Sequence, residues 1–316
     1  MLGVFLDRDT VDRGDLDLAT LLGTLPDWHL HTYTQPEQLV ERLATATVVV
    51  SNKVRLDAAA FAAAPELRLV CVAATGTNNI DLEAAQRRGI TVCNVRGYAT
   101  PSVVQHVYAL ILALTTRLPD YQRDVAAGRW QDSPYFCLLD YPIRELSGLT
   151  LGIVGYGELG SAVARVAPAF GLQVLIAQRP GGVPQPERLP LDALLPQVDI
   201  LSLHCPLTPQ TRDLIGVREL ALMKADALLI NTARGGLVDE AALAAALRAG
   251  RLGGAGIDVL AEEPPPDDNP LLAADIPHLI VTPHIAWASR EARQRVLDEI
   301  AANIRAFHAG TPRNVV

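Results

Sequence analysis

The chain has 316 residues, 49% of them hydrophobic and 20% charged, with a formal net charge of -8. That length suits two domains better than one core, and the composition excludes a disordered chain. The acidic balance and the lack of any basic run argue against a nucleic-acid or acidic-membrane partner, which would require clustered Lys and Arg.

The four cysteines, Cys71, Cys93, Cys137 and Cys205, form no Cys-x-x-Cys pair, so no metal or redox site is expected. Cys71, Cys93 and Cys205 sit in apolar runs and read as small buried thiols. Met1-Leu-Gly-Val-Phe-Leu-Asp7 has no basic leader or cleavage site, and the best apolar stretch, Val103 to Leu114, is broken by Gln105 and His106. A soluble, cytoplasmic protein is the expectation.

Short Val-, Ile- and Leu-rich runs alternate with helix-patterned segments, the signature of parallel sheets covered on both faces. The first strands are predicted at Val4–Asp7, Thr47–Ser51, Leu69–Ala73 and Thr91–Asn94. Helices are predicted among them at Gln35–Ala44, Asp57–Ala64 and Asp81–Arg88, the last ended by Gly89. A helix over Pro101–Thr116 follows, with Pro101 in its first turn. The segment Leu118–Ser147 carries Trp130, Tyr135, Phe136, Leu138 and Leu139 without sheet-like periodicity. Those aromatics read as a subunit contact, with an intradomain packing strip as the alternative.

From Leu149 the pattern restarts: strand Leu149–Val154, a Gly-rich turn, helix Leu159–Phe170, then strand Gln173–Ala177. Further strands follow at Ile200–His204, Ala227–Asn231, Gly254–Val259 and Leu279–Val281. The fold class is therefore α/β, two doubly wound parallel-sheet domains with a cleft between them. Ser289–Ala309 reads as one amphipathic helix that arrives last and is expected to pack back on the first domain. The expected boundaries are 1–98 with 288–316 for one domain, and 99–287 for the other.

Gly155-Tyr-Gly157-Glu-Leu-Gly160 directly follows an apolar strand and opens a helix, the context that makes this glycine pattern specific for a dinucleotide. The diphosphate would sit at the positive helix N-terminus. About 20 residues on, an NAD site places an acid for the ribose 2′-hydroxyl; this chain has Ala177-Gln178-Arg179-Pro180. Arg179 could bind a 2′-phosphate, or it is solvated while Gln178 binds the ribose hydroxyls. The cofactor is thus NAD or NADP.

Downstream stand Arg234 in Asn231-Thr-Ala-Arg-Gly-Gly236, Glu263 in Asp258-Val-Leu-Ala-Glu-Glu-Pro264, and His284 in Thr282-Pro-His284. Reduction of a 2-oxo acid beside a nicotinamide needs these three residue types. A guanidinium fork grips the carboxylate, an imidazole gives the proton, and a carboxylate orients that ring. Singly, each has a plain structural reading, and of the neighbours Glu262 and Glu263 either could face solvent. His106, His204 and Asp239 are read as packing or capping, Asp239 as the N-cap of a helix over Glu240–Ala249.

On these motifs, with Ala74-Thr-Gly-Thr-Asn-Asn-Ile-Asp81, His204-Cys-Pro-Leu-Thr-Pro209 and Trp287, the chain resembles the D-isomer-specific 2-hydroxyacid dehydrogenases along essentially its whole length. Within them it is most similar to the glycerate dehydrogenase and hydroxypyruvate reductase branch. The resemblance implies flavodoxin-like and Rossmann-like domains, the substrate domain being made of both termini, and a homodimer. It implies that Arg234 binds the 2-oxo acid, Glu263 pairs with His284, and His284 is the acid/base. Thr75, Gly76 and Thr77 would offer N–H groups to the substrate. The dinucleotide would be held by Gly155, Tyr156, Gly157, Glu158, Leu159 and Gly160, by Gln178 and Arg179, and by Cys205 and Pro206. Thr232, Ala233, Arg234 and Asp258 complete that set, Asp258 at the nicotinamide carboxamide.

The implied reaction is reversible reduction of hydroxypyruvate or glyoxylate. A phosphoglycerate dehydrogenase-like enzyme is the near alternative, but Lys53 and Arg55 are the only obvious cations for a phosphate. A non-catalytic dinucleotide-sensing corepressor-like protein is the alternative from another class.

Overall fold

The computed structural model describes Met1–Val316 and resolves into two compact units, Met1–Ala99 with Trp287–Val316, and Thr100–Ala286. The first unit is built on strands β1 (Leu2–Phe5), β2 (Asp27–Leu30), β3 (Val48–Ser51), β4 (Leu69–Val72) and β5 (Thr91–Cys93). They pair in parallel in the order β2-β1-β3-β4-β5, the flavodoxin-like order. Val48–Ser51 and Leu69–Val72 are buried at every position because both faces of a central parallel strand are covered. Its helices are α1 (Ala19–Leu22), α2 (Leu39–Leu43), α3 (Ala58–Ala62) and α4 (Leu82–Arg87). Asp57 and Asp81 cap the last two with their side chains.

The second unit opens with α5 (Thr100–Thr115) and α6 (Leu118–Ala126). Its sheet uses β6 (Thr150–Val154), β7 (Gln173–Ile176), β8 (Ile200–Leu203), β9 (Leu228–Asn231), β10 (Gly254–Ile257) and β11 (Leu279–Val281). All neighbours are parallel, in the order β11-β10-β9-β8-β6-β7. A parallel bridge from Ala177 to Leu189 lies beyond β7, where the third strand of the Rossmann order belongs. The helices are α7 (Glu158–Val166), α8 (Leu191–Leu194), α9 (Val217–Leu222) and α10 (Glu240–Arg248). Asp239 caps α10 by accepting the Ala242 N–H at 3.0 Å. The chain then returns to the first unit as α11 (Arg290–His308), which buries Val296, Leu297, Ile300 and Ile304 in that unit's core.

Three local differences from the sequence reading have physical causes. Strand β2 carries no apolar run, because an edge strand with alternating exposure needs only Trp28 and Leu30 turned inward. Helix α6 forms inside Leu118–Ser147, a segment read only as lacking sheet-like periodicity. Arg117 and Arg123 both pair with Asp120, Arg129 pairs with Asp124, and Pro119 sits in its first turn, so charge rather than an apolar stripe holds it. The helix expected over Leu159–Phe170 ends as α-helix at Val166 and tightens into a 3-10 turn at Ala167–Phe170, where Pro168 cannot donate.

Candidate active site

In a doubly wound sheet, ligands bind beyond the strand C-termini where the strand order reverses. In the second unit that point lies between β6 and β8. Gly155, with φ +93°, turns the chain there; a Cβ on it would lie 2.5 Å from the Cys205 nitrogen and 2.6 Å from the His204 carbonyl carbon. The glycine loop and the His204–Pro206 loop are therefore in backbone contact. Gly160 lets α7 close on the same turn, since its Cβ would meet the Gly155 carbonyl oxygen at 2.0 Å.

A dinucleotide fits these residues. A side chain at Gly157 would meet nothing within 4 Å, and α7 begins there with no side-chain cap, leaving its first N–H groups for an anion. The Glu158 carboxylate is drawn aside by the Thr100 hydroxyl. At the end of β9, the Thr232 hydroxyl is buried without a hydrogen-bond partner.

Where an NAD site carries its acid, this chain places Gln178 and Arg179. The Gln178 amide is committed to its own loop: Nε2 donates to the Gln185 and Arg188 carbonyls at 2.9 and 3.0 Å, and Oε1 accepts from the Gln185 N–H at 3.1 Å. In this arrangement the amide braces its own loop. Arg179 is exposed, and Arg188, a cation the sequence reading passed over, lies 5.7 Å from the centre of the Tyr156 ring. Arg188 stands ten residues from Gln178, outside the window in which the acid is usually sought.

Asn231 shapes the turn that presents Arg234. Its side chain donates to the Arg234 carbonyl at 2.8 Å and accepts from the Ala233 N–H at 3.0 Å. The Arg234 guanidinium is exposed; Nη1 donates to the Ala233 carbonyl at 2.6 Å, which leaves the Nε–Nη2 edge for a carboxylate. Next comes Gly235, where a Cβ would sit 1.9 Å from the Leu260 carbonyl carbon. Only glycine allows the Arg234 turn to lie against the loop that carries Glu263.

Glu263 and His284 are joined directly. His284 Nδ1 lies 2.7 Å from Glu263 Oε2, and Glu263 Oε1 accepts the Leu260 N–H at 3.0 Å, so the carboxylate is held at both oxygens. Glu262 has no such place. The contact at Nδ1 holds the plane of the imidazole against Glu263. His284 adopts φ +55°, an uncommon region for a residue with a side chain, and its N–H is held by the Asp258 carbonyl at 2.8 Å.

Asp258 is 1% exposed. Its carboxylate accepts the Thr282 hydroxyl at 2.5 Å and the Ile285 and Ala286 N–H groups, each at 2.9 Å. The structure thus gives it the task of anchoring the His284 loop. His106, expected as packing, instead reaches the Thr282 hydroxyl at 3.0 Å. Its signal in the sequence was the pair Ser102 and His106, one turn apart on a helix rich in Val, Leu and Ile. His204 just past β8 is half-buried and bonded through Nε2 to the Ser202 hydroxyl at 2.8 Å, and the desolvation of its ring pushes its pKa down to about 4.

In the first unit, the Thr75–Thr77 loop follows β4. The Thr75 hydroxyl donates to the Val95 carbonyl at 2.8 Å, and Asn94 Nδ2 donates to the Thr75 carbonyl at 2.7 Å. Beside it, Asn79 Nδ2 donates to the Val54 carbonyl at 3.0 Å, tying this loop to the one that carries Lys53.

Comparison with known proteins agrees with this geometry. Residues 108–286 match the family described as D-isomer specific 2-hydroxyacid dehydrogenase, NAD binding domain. The chain is 47% identical over 320 aligned positions to a glycerate dehydrogenase of Methylorubrum extorquens, covering 99% of this chain and 98% of that one. It is 38% identical to a hydroxypyruvate reductase of Blautia hydrogenotrophica, covering 99% and 98%. Among solved structures, an acyclic imino acid reductase (Bsp5) in complex with NADPH and D-Arg superposes with a TM-score of 0.87 at 26% identity, covering both chains in full.

Proposed function

The chain belongs to the D-isomer-specific 2-hydroxyacid dehydrogenases, oxidoreductases that act on the CH–OH group of donors with NAD or NADP, and we propose that it reduces hydroxypyruvate or glyoxylate. One observation carries the reading: the His284–Glu263 pair at 2.7 Å, next to the Arg234 turn and beyond the same sheet edge as the glycine loop. The bound nicotinamide supplies hydride chemistry. Arg234 grips the carboxylate of the 2-oxo acid through its Nε–Nη2 edge and fixes the carbonyl. His284 gives the proton on Nε2 to the carbonyl oxygen and takes it back in the reverse direction. Glu263 holds Nδ1–H, which sets the ring's tautomer and orientation.

The glycine loop from Gly155 to Gly160 holds the diphosphate at the start of α7. Cys205, Pro206, Thr232 and Ala233 line the dinucleotide path along the strand ends. Thr75, Gly76 and Thr77 are proposed as donors of backbone N–H groups to a small carboxylate. The experiment is a panel of 2-oxo acids against NADH and NADPH, with His284→Gln beside the wild type. Loss of a general acid costs about 10²–10⁴-fold in kcat, with dinucleotide affinity kept. A variant that retained more than about a tenth of kcat would remove His284 from the role.

The active form is proposed to be a cytoplasmic homodimer. No helix is long and apolar enough to cross a membrane. Phe136 is 91% exposed and Leu139 82%, with Tyr135 and Trp130 beside them, an apolar strip that suits a second copy. Light scattering on Phe136→Asp should report a monomer; an unchanged mass would assign the strip elsewhere.

A further inference from the structure

We propose that His106 is a positioning residue for the acid–base histidine, acting through Thr282 and Asp258. The proposal rests on the assignment of His284 made above.

Counting protons sets the direction of each bond. The Thr282 hydroxyl has one proton and two lone pairs. Asp258 Oδ1 lies 2.5 Å away and takes that proton's bond as a carboxylate. His106 Nε2 sits 3.0 Å from the same hydroxyl, which can now only accept, so His106 carries its proton on Nε2 and donates it. The same Nε2 is 3.5 Å from Asp258 Oδ1. The imidazole therefore faces two oxygens, and its N–H fixes the rotor of the hydroxyl between them.

The rest of the loop hangs on Asp258. Its carboxylate takes the Ile285 and Ala286 N–H groups, and its carbonyl takes the His284 N–H. One turn before His106 on α5, the Ser102 hydroxyl donates to the Ala286 carbonyl at 2.7 Å. Helix α5 thus grips the loop at both ends, Thr282 and Ala286, with His284 between them. That grip matters because His284 stands at φ +55°, a conformation that persists only when its surroundings impose it. Packing alone does not explain the imidazole. Val103, Val107, Leu110 and Ile111 of α5 are buried and apolar, and a histidine among them is favourable only through a polar partner.

The test compares His106→Phe, which keeps a ring and removes the N–H, with His106→Gln, which keeps an N–H near the Nε2 position. Both are assayed as full-length protein with NADH or NADPH and hydroxypyruvate, with dinucleotide affinity measured separately. His106→Phe should lower kcat about ten- to hundredfold, the scale of a displaced reacting group, with dinucleotide Kd unchanged. His106→Gln should recover most of that loss. Wild-type kcat in the phenylalanine variant, or a glutamine variant as slow as the phenylalanine one, would overturn the proposal.

If His106→Phe fails to fold, Thr282→Val against Thr282→Ser carries the same contrast: slow for valine, near wild type for serine. Equal rates in those two would also overturn it. His284→Gln in the same series separates the two assignments. Wild-type turnover there would remove the acid–base reading itself. Turnover lost there but kept in His106→Phe would remove the positioning role alone.

Discussion

Each unit places a buried aspartate beyond a strand of its sheet, and the two are used differently. Asp7 follows β1 and Asp258 follows β10; both are 1% exposed. The Asp7 carboxylate accepts backbone N–H groups from the loop after β3, Asn52 at 2.9 Å, Lys53 at 2.6 Å and Val54 at 3.3 Å. Asp258 accepts two backbone N–H groups and a hydroxyl that is itself held by an imidazole. The first arrangement freezes a loop. The second ties a loop to a helix and, through it, fixes one titratable side chain. Two sheets of related topology therefore share a device for shaping loops, while the chemistry follows from which side chain the device holds.

The comparison breaks most visibly in turnover. Asp258→Ala should cost about 10²-fold or more in kcat, because it releases the backbone that aims His284. Asp7→Ala should leave dinucleotide binding intact and act mainly on stability, by about 1–3 kcal/mol, through stranded N–H groups. Steady-state kinetics and thermal melts on the two variants decide it. Equal losses of kcat would mean that the two aspartates do the same work.

Acid sharpens the contrast. Burial raises the pKa of Asp7 and lowers that of His204 to about 4. For His204 the folded value lies below the unfolded value of 6.5, so the unfolded chain binds the proton first. Its neutral form is fully compatible with folding above that value, and stability is lost as pH falls from 6.5 towards 4. The loss reaches about 2 kcal/mol at pH 5. For Asp7 the sign is opposite: its folded pKa is raised, so protonation in acid relieves the burial cost. Hydrogen exchange at pH 5 should show the second unit loosening before the first, and His204→Gln should flatten that pH dependence. A first unit that opened earlier would contradict this.

The smallest effect concerns the cofactor. Arg179→Ala and Arg188→Ala should each weaken NADPH more than NADH, since only NADPH presents a 2′-phosphate, and added salt should shrink the difference. Arg188, set over Tyr156 beside the glycine loop, should show the larger preference. Equal effects on both cofactors would make the two arginines solvated loop residues.

Much of this was legible in the residues. Every central strand was visible, because a doubly covered parallel strand must be an apolar run. The glycine loop was visible because a tight turn against a helix start excludes side chains. What escaped had no local signature. Strand β2 is an edge held by pairing with β1, α6 is held by ion pairs, and the Gln178 amide meets the Gln185 and Arg188 carbonyls.

By itself the sequence determined the two-sheet α/β class, the nucleotide turn and the residue types of the trio, because each rests on a local pattern of apolar runs, glycines or charge. The tertiary structure alone decided that Gly235 brings the Arg234 turn against Leu260 and that His106 reaches Thr282 across 176 residues. Those are contacts between segments far apart in the chain, fixed by strand order and register, which no window of residues contains.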